Sequence, residues 1–481
     1  MELFVDKPGD EGLPGNKRRL AMIAVMTAAM MAVFDGAIVN IALPQIAQTL
    51  QVTAGTAVWV ASSYLLAAAM LLASFAALAT HLGYRTLFTF GISVFTLSSL
   101  GCALSTSLPM LVAMRVVQGI GGAATMSIGP AIMRSIFPSR LLGQVIGLNA
   151  MLVGSSTAVA PILGGTLLSA LGWPWLFAIN IPLGIVALML TLRVIPNERS
   201  ARHEPFDIYG ALLSAVALGA LVMTANAFAH PAAGSSSFRT MLMAAAYGAT
   251  AVVAGIAFVV RQRYAPRPLI PLSLFSSVRF SLAALTSMVS FVSQGITFVA
   301  LPFLFQSAYG YSALGSALLF MPWPIGIILV APWAGKLSDR YPSALISTCG
   351  LGCFAIGLVL LANLSAHASI LDIALRSLLC GIGFGCFQSP NNREMMSNVP
   401  RSSSSYASGI LAIMRISGQC LGAAAVGSVL SAYAALHGTL DQEMFAIHLS
   451  LWGAFGATAL AVIISLSRLR HVMMLEKDER L

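Results

Sequence analysis

The stretch Ala32-Val33-Phe34-Asp35-Gly36-Ala37-Ile38-Val39-Asn40-Ile41-Ala42-Leu43-Pro44 decides how the rest of the chain is read. It lies in an apolar run that begins near Leu20 and is long enough to cross a bilayer, and it carries one acid, Asp35. A carboxylate in hydrocarbon is costly, so an ionisable residue there marks a functional site and calls for a partner.

Outward from that run the pattern repeats. The 481 residues are 58% hydrophobic and 9% charged, a balance that a bundle of membrane helices needs and a soluble core does not. Apolar runs of about 20 residues fall near 20–43, 57–78, 85–105, 108–131, 143–168, 173–194, 208–228, 240–261, 278–305, 313–334, 343–364, 369–391, 405–433 and 446–467, fourteen in all. The sequence thus predicts an all-α polytopic membrane protein.

The formal charge of +10 is spread over short loops, which argues for topology and against a nucleic-acid face. Alternate loops hold nearly all the arginines, from Arg85, Arg134 and Arg193 to Arg393 and Arg401, whereas the opposite loops hold only Arg239. By the positive-inside rule both termini are then cytoplasmic, and the first span is retained instead of cleaved. The six cysteines (Cys102, Cys349, Cys353, Cys380, Cys386 and Cys420) lie in apolar segments with no histidine near, as small packing residues do. No nucleotide-binding loop, metal cluster or nucleophile–base pair appears, so neither a cofactor nor an enzymatic activity is expected.

The chain also repeats internally. Arg115–Gly165 can be laid on Arg376–Ala425, so that Gly121 meets Gly381, Pro130 meets Pro390 and Gly147 meets Gly409. Two related bundles rocking about a central site would produce that pattern. The expected organisation is a tail over 1–19, a six-helix bundle over 20–194, and an inserted helix pair with its loops over 195–268. A second six-helix bundle over 269–467 and a tail over 468–481 complete it.

Of the sixteen acids, only Asp35 is expected well inside a span. At a rise of 1.5 Å per residue it sits roughly 22 Å from the cytoplasmic face, and Arg115 roughly 10 Å from the other, so the two can meet. Burial favours a neutral carboxyl group and a guanidinium beside it favours the ionised one, so moving the arginine would switch proton affinity. The plainer alternative is a static ion pair that fixes helix register. Gln118 shares a helix face with Arg115, Arg376 sits comparably in the second half, and Arg415 and Gln419 form a further buried polar pair; for the last two positions helix-to-helix hydrogen bonding weighs about as much as function. Pro161, Gly164 and Gly165 predict a bent helix packed tightly against its neighbours, sealing one side of a cavity. Gly335, Asp339 and Arg340 lie in a short turn where the acid can latch the inward side. Asn40, Gln118, Phe291, Gln294, Phe298 and Trp323 are candidate cavity residues, explained nearly as well by core packing.

Together these residues resemble the major facilitator superfamily, and within it the fourteen-span drug:proton antiporters of the EmrB/QacA type, YebQ-like subgroup. The resemblance rests on Phe34–Pro44, on Arg115–Gly122, on Ala160-Pro161-Ile162-Leu163-Gly164-Gly165, on Trp173–Gly184, and on Phe387–Asn392, which includes Asn391. It implies two six-helix bundles plus two inserted helices, in a bacterial cytoplasmic membrane. It also implies export of amphipathic, often cationic compounds in exchange for protons, with Asp35 as the coupling acid and Arg115 as its modulator. The partners expected are that small molecule, protons and the lipid bilayer; the transporter is expected to act as a monomer, and no outer-membrane partner can be named. Three departures stand out: Thr80 and His81 where the family has an Asp-Arg pair, Ala160 for a glycine, and Pro174 for an arginine. A proton-coupled exporter of a specific metabolite (an amino acid, sugar or siderophore) is the alternative, and a non-transporting membrane sensor a more distant one.

Overall fold

The computed structural model describes residues 4, 12–138, 141–196, 206–227, 237–265, 268–338, 340–365, 368–399, 404–434 and 440–478. Every regular element among them is helical, as apolar segments in lipid must be to satisfy their own backbone groups. The first group comprises α1 (Gly15–Thr49), α2 (Ala54–Ala57), α3 (Trp59–Leu82), α4 (Tyr84–Ala103), α5 (Leu108–Ile136), α6 (Leu142–Leu171), α7 (Pro174–Ala178) and α8 (Asn180–Val194). A hairpin of α9 (Ile208–Ala227) and α10 (Ser237–Tyr264) follows. The second group comprises α11 (Val278–Phe303), α12 (Ala313–Phe320), α13 (Pro322–Leu337), α14 (Ser343–Ala362), α15 (Ile370–Ser397), α16 (Ser404–Ala434) and α17 (Leu440–Asp478).

Among the described residues, twelve helices are long and apolar enough to cross a membrane, and two shorter apolar stretches, Ser155–Leu171 in α6 and Ile208–Thr224 in α9, fall below that length. The boundaries differ from the apolar runs mainly at the polar ends. Helix α1 starts at Gly15, where Arg18 is buried and its Nε donates to Leu13 O at 3.0 Å. Helix α17 runs on to Asp478, so Arg468 is a buried helix residue and not the start of a tail. Side chains satisfy several free helix starts: the hydroxyls of Thr53, Ser277, Ser312 and Ser369 accept from the amides of Thr56, Phe280, Gly315 and Asp372.

Lipid gives apolar helices no hydrophobic reason to associate, so close packing must hold them. Glycine supplies it along matching seams in the two groups. A methyl group on Gly121 of α5 would lie 2.6 Å from Phe95 N of α4, and one on Gly383 of α15 would lie 2.4 Å from Phe354 N of α14. The two groups face one another through α1 and α11, α3 and α16, and α6 and α12. The hairpin lies outside this frame: α9 packs on both α3 and α16, and α10 packs on α9 with most of its surface outward. The base of the hairpin is tied by Asp207, which accepts from Gly210 N, Arg261 Nε and Gln262 Nε2.

Contacts fix which ends lie together. Leu13 N donates to Ile136 O at the start of α1, and Arg468 of α17 meets Asn391 near the end of α15, which in turn meets Ala283 near the start of α11. The far ends of α1, α11 and α16 converge around Gln48, Gln306 and Tyr433. The start of α1 and the end of α17 therefore share one end, called basal here, and the opposite end is distal.

The glycine seams give a direct test. Gly121→Ala and Gly383→Ala are each expected to cost about 1–3 kcal/mol by overpacking against backbone atoms, read as a lower thermal midpoint of the purified protein in detergent. Gly453→Ala, where an added methyl meets nothing within 4 Å, is expected to leave the midpoint unchanged or raise it slightly.

Candidate functional site

Four helices build a buried polar cluster in the first group. Asp35 of α1 is 3% exposed, Arg115 of α5 is 1% exposed, and Gln118 of α5 is fully buried. Arg115 Nη1 donates to Asp35 Oδ2 at 2.5 Å and to Gln118 Oε1 at 2.6 Å, and its Nε donates to Val60 O of α3 at 2.8 Å. Gln118 Nε2 donates to Asp35 Oδ1 at 3.1 Å and to Ser99 Oγ of α4 at 2.8 Å. Both carboxylate oxygens thus have a donor, which is the condition for keeping a charge out of water. Glycine again permits the approach: a methyl group on Gly119 would stand 2.6 Å from Tyr64 O, so α5 lies directly on α3 beside the Val60 carbonyl.

Aromatic faces close the cluster. The Arg115 guanidinium carbon lies 4.4 Å from the centre of the Tyr64 ring and 5.6 Å from that of Phe177. Tyr64 also lines a cavity of about 140 Å³ between the two helix groups, with Asn40, Phe298, Arg415 and Gln419 among its walls. The Tyr64 ring therefore stands between the cavity and the ion pair, and its buried hydroxyl has no hydrogen-bond partner among the described residues. Asp35 does not line the cavity, although Ala32, Val33, Gly36 and Ala37 of the same helix do.

The expected site residues divide accordingly. Asp35, Arg115 and Gln118 come together, and Asn40 and Phe298 reach the cavity. Gln118 lies in the ion-pair cluster and not on the cavity wall. Gln294 stands behind Gln419, accepting from its Nε2 at 2.9 Å, so Gln419 pairs with Gln294 and not with Arg415. Phe291 and Trp323 are core residues: Phe291 meets the Phe384 ring at 5.5 Å, and Trp323, fully buried, packs against Phe298, Phe320 and Phe354. Arg376 is not a deep counterpart of Arg115. It pairs with Asp372 at 2.8 Å, one turn away in the first turns of α15, and caps the carbonyl of Leu360.

Pro161 lies inside α6, and Gly164 and Gly165 face opposite neighbours. An added methyl would stand 2.8 Å from Ile38 Cγ2 of α1 at Gly164, and 2.8 Å from Ala317 Cβ of α12 at Gly165. Helix α6 thus bridges the two groups. The Gly335 carbonyl accepts from Arg393 Nη1 at 3.2 Å, and Arg340 is exposed; Asp339 lies outside the described residues.

Sequence reasoning missed two buried acids. Glu394 of α15 is 6% exposed and lies 3.4 Å from Arg468 Nη1, which also donates to Asn391 Oδ1 at 2.6 Å. Asp207 is buried at the foot of the hairpin. It also missed Tyr64, although Ser62-Ser63-Tyr64 inside an apolar run was a visible polar signal. A wider chamber of about 590 Å³ opens between the groups at the distal end, lined by Gln48, Gln51, Gln306, Tyr433, Gln442 and Glu443.

Comparison with known proteins gives a consistent picture. The profile of the Major Facilitator Superfamily matches residues 25–423. The chain is 41% identical over 424 residues to the uncharacterized transporter YebQ of Escherichia coli, covering 88% of this chain and 91% of that one. It is 29% identical to the riboflavin transporter RibZ of Clostridioides difficile, covering 84% and 86%, and 33% identical to the multidrug resistance protein Stp of Mycobacterium tuberculosis, covering 88% and 78%. Among solved structures, a bacterial homolog of the human lysosomal transporter Spinster superposes with a TM-score of 0.68 at 16% identity, covering 97% of this chain and 98% of that one.

The ion pair is expected to behave as one unit. Asp35→Asn or Arg115→Gln alone leaves an uncompensated buried charge and should cost about 3–5 kcal/mol, whereas the double variant should be more stable than either single one. Thermal unfolding of the four proteins in detergent checks this, and strictly additive losses would show that the two groups do not depend on each other.

Proposed function

The chain belongs to the Major Facilitator Superfamily, and from that premise we propose that it is a proton-coupled exporter of amphipathic compounds, of the fourteen-span drug:proton antiporter type. The observation that carries the proposal is the Asp35–Arg115–Gln118 cluster, one aromatic ring away from a cavity between the two helix groups. Asp35 is the proton-carrying group in this reading and Arg115 its modulator. The helix groups are the bundles over 20–194 and 269–467, α9 and α10 are the inserted pair, and the stretches Ser155–Leu171 and Ile208–Thr224 bring the twelve spans to fourteen. Both termini face the cytoplasm of a bacterial cell, because the basal loops carry the basic residues.

The enclosure of Asp35 sets how coupling works. With the carboxylate turned away from the cavity, a substrate cannot displace the proton by taking its place. Exchange rests instead on which form reorients: substrate-loaded with the pair closed, or empty with Asp35 protonated and Arg115 released to Val60 O and Gln118. Movement of α5 against α1 and α3 would carry the signal, and Tyr64 is the side chain that both sites touch. A second reading, transport of one specific metabolite, is supported by the similarity to a riboflavin transporter.

The test is a transport assay in inside-out vesicles, in which exported substrates dissipate a respiration-generated pH gradient. Asp35→Asn is expected to lower the initial rate of dissipation at least tenfold for every substrate that the wild-type protein moves. Dissipation at the wild-type rate would exclude Asp35 as the coupling group. A panel of structurally unrelated amphiphiles separates multidrug export, in which many are moved, from dedicated transport, in which one is.

A further inference from the structure

The charge on the cavity wall is positive. Among the described residues, Arg415 of α16 is the one charged residue that lines it, and it has neither an ion pair nor a hydrogen bond there. The acid nearest the cavity in sequence, Asp35, is committed to Arg115 and Gln118 behind the Tyr64 ring. Of the other polar groups on the wall, the Tyr64 hydroxyl has no hydrogen-bond partner among the described residues, the Asn40 amide donates to Gly36 O at 3.3 Å, the Gln419 amide donates to Gln294 Oε1 at 2.9 Å, and Thr157 completes the set. Phe298, held edge-on by Phe320 at 4.8 Å and Trp323 at 5.4 Å, supplies a fixed apolar face.

A guanidinium facing an apolar cavity without an acceptor is an incomplete arrangement, since a charge out of water needs a partner. Arginine binds a planar oxyanion through two parallel hydrogen bonds, and aromatic walls hold a flat ring beside it. We propose that this cavity binds aromatic compounds bearing an anionic oxygen group, with Arg415 and the Tyr64 hydroxyl holding the oxyanion and Phe298 the ring. Cations of the same size are disfavoured by the same charge. This departs from the expectation of amphipathic, often cationic cargo and rests on the proposed export function only in taking the cavity as the cargo site. The volume of about 140 Å³ is comparable to cavities that hold one aromatic ring, so two-ring compounds, the probes below included, seat as the two helix groups part slightly.

Proton and anion then occupy separate places on either side of one ring. Replacing Arg415 changes which compounds bind, and replacing Asp35 changes what drives them.

The test uses the full-length purified protein in detergent, without a gradient, and two probes of matched size and opposite charge, 2-naphthoate and N-methylquinolinium. Isothermal titration calorimetry at pH 7, corrected against empty micelles, is expected to show naphthoate binding at least tenfold tighter than N-methylquinolinium. Arg415→Gln should weaken naphthoate at least tenfold and Arg415→Lys less. Tyr64→Phe, which removes only the hydroxyl, should weaken it a few-fold with the fold intact by size exclusion and thermal midpoint. Equal affinity for the two probes, or naphthoate binding that survives both Arg415→Gln and Tyr64→Phe, overturns the proposal. Failure of Asp35→Asn to abolish proton-driven export would overturn the coupling role and leave these binding results standing.

Discussion

A carboxylate and a guanidinium can share a place inside lipid only if every lone pair and every donor between them is occupied. Asp35 and Arg115 meet that condition with help from two other helices: the Val60 carbonyl and the Tyr64 ring of α3, and Ser99 of α4 through Gln118. Four helices of the first group are therefore positioned by one electrostatic requirement. Desolvation cost forces the helices together around the pair, and glycines at 119, 121 and 122 make the approach sterically allowed. Loss of charge on either partner removes the reason for that arrangement.

The contacts between the two groups have a different character. At the distal end they are short and specific: Gln306 Nε2 donates to Ile41 O at 2.8 Å, α6 meets α12 at Gly165, and α2 meets α16 where an added methyl on Gly55 would strike Ser431. Towards the middle they become apolar, with Ala68 and Leu72 of α3 against Ile413 and Ile416 of α16. Few of these contacts involve buried charge, in contrast to the Asp35 cluster. A rigid bundle joined to another through small residues and single hydrogen bonds is what rocking between two states requires. The hairpin of α9 and α10 rides on the seam without closing it.

Much of the site was legible because the background was so uniform. A lone acid in a long apolar run stands out, and the three-residue spacing of Arg115 and Gln118 places both on one helix face whatever the tertiary fold. Same-face spacing could not reveal the partner across a helix interface. Arg415 and Gln419 looked like a pair, yet Gln419 reaches over to Gln294 of α11 and leaves Arg415 facing the cavity. Glu394 and Arg468 were misplaced for another reason: each lies at the polar end of an apolar run, where composition cannot tell a solvated turn from a helix that continues inside the bundle. Phe291 and Trp323 have the composition of a cavity wall, but three-dimensional packing put them in the aromatic core. The fold was read from periodic features, whereas the errors concern contacts between distant segments and the polar ends of helices.

The internal repeat and the buried charges do not agree, and the disagreement is informative. In the first group the ion pair lies beside the cavity, built from the middle of α1 and the upper part of α5. In the second group the buried ion pair, Glu394 with Arg468, joins the basal parts of α15 and α17, and Asn391 ties it to the start of α11. At the position that the repeat matches to Arg115 the second group has Arg376, and this arginine is spent on Asp372 at a helix end. Two bundles of common design have thus put their charges to different uses. The first keeps an ionisable pair within one ring of the cavity; the second ties its basal end with Glu394 and Arg468 and presents to the cavity, among the described residues, an unpaired cation from α16. The buried charge of the first group thus lies at the level of the cavity, and that of the second lies at its basal end.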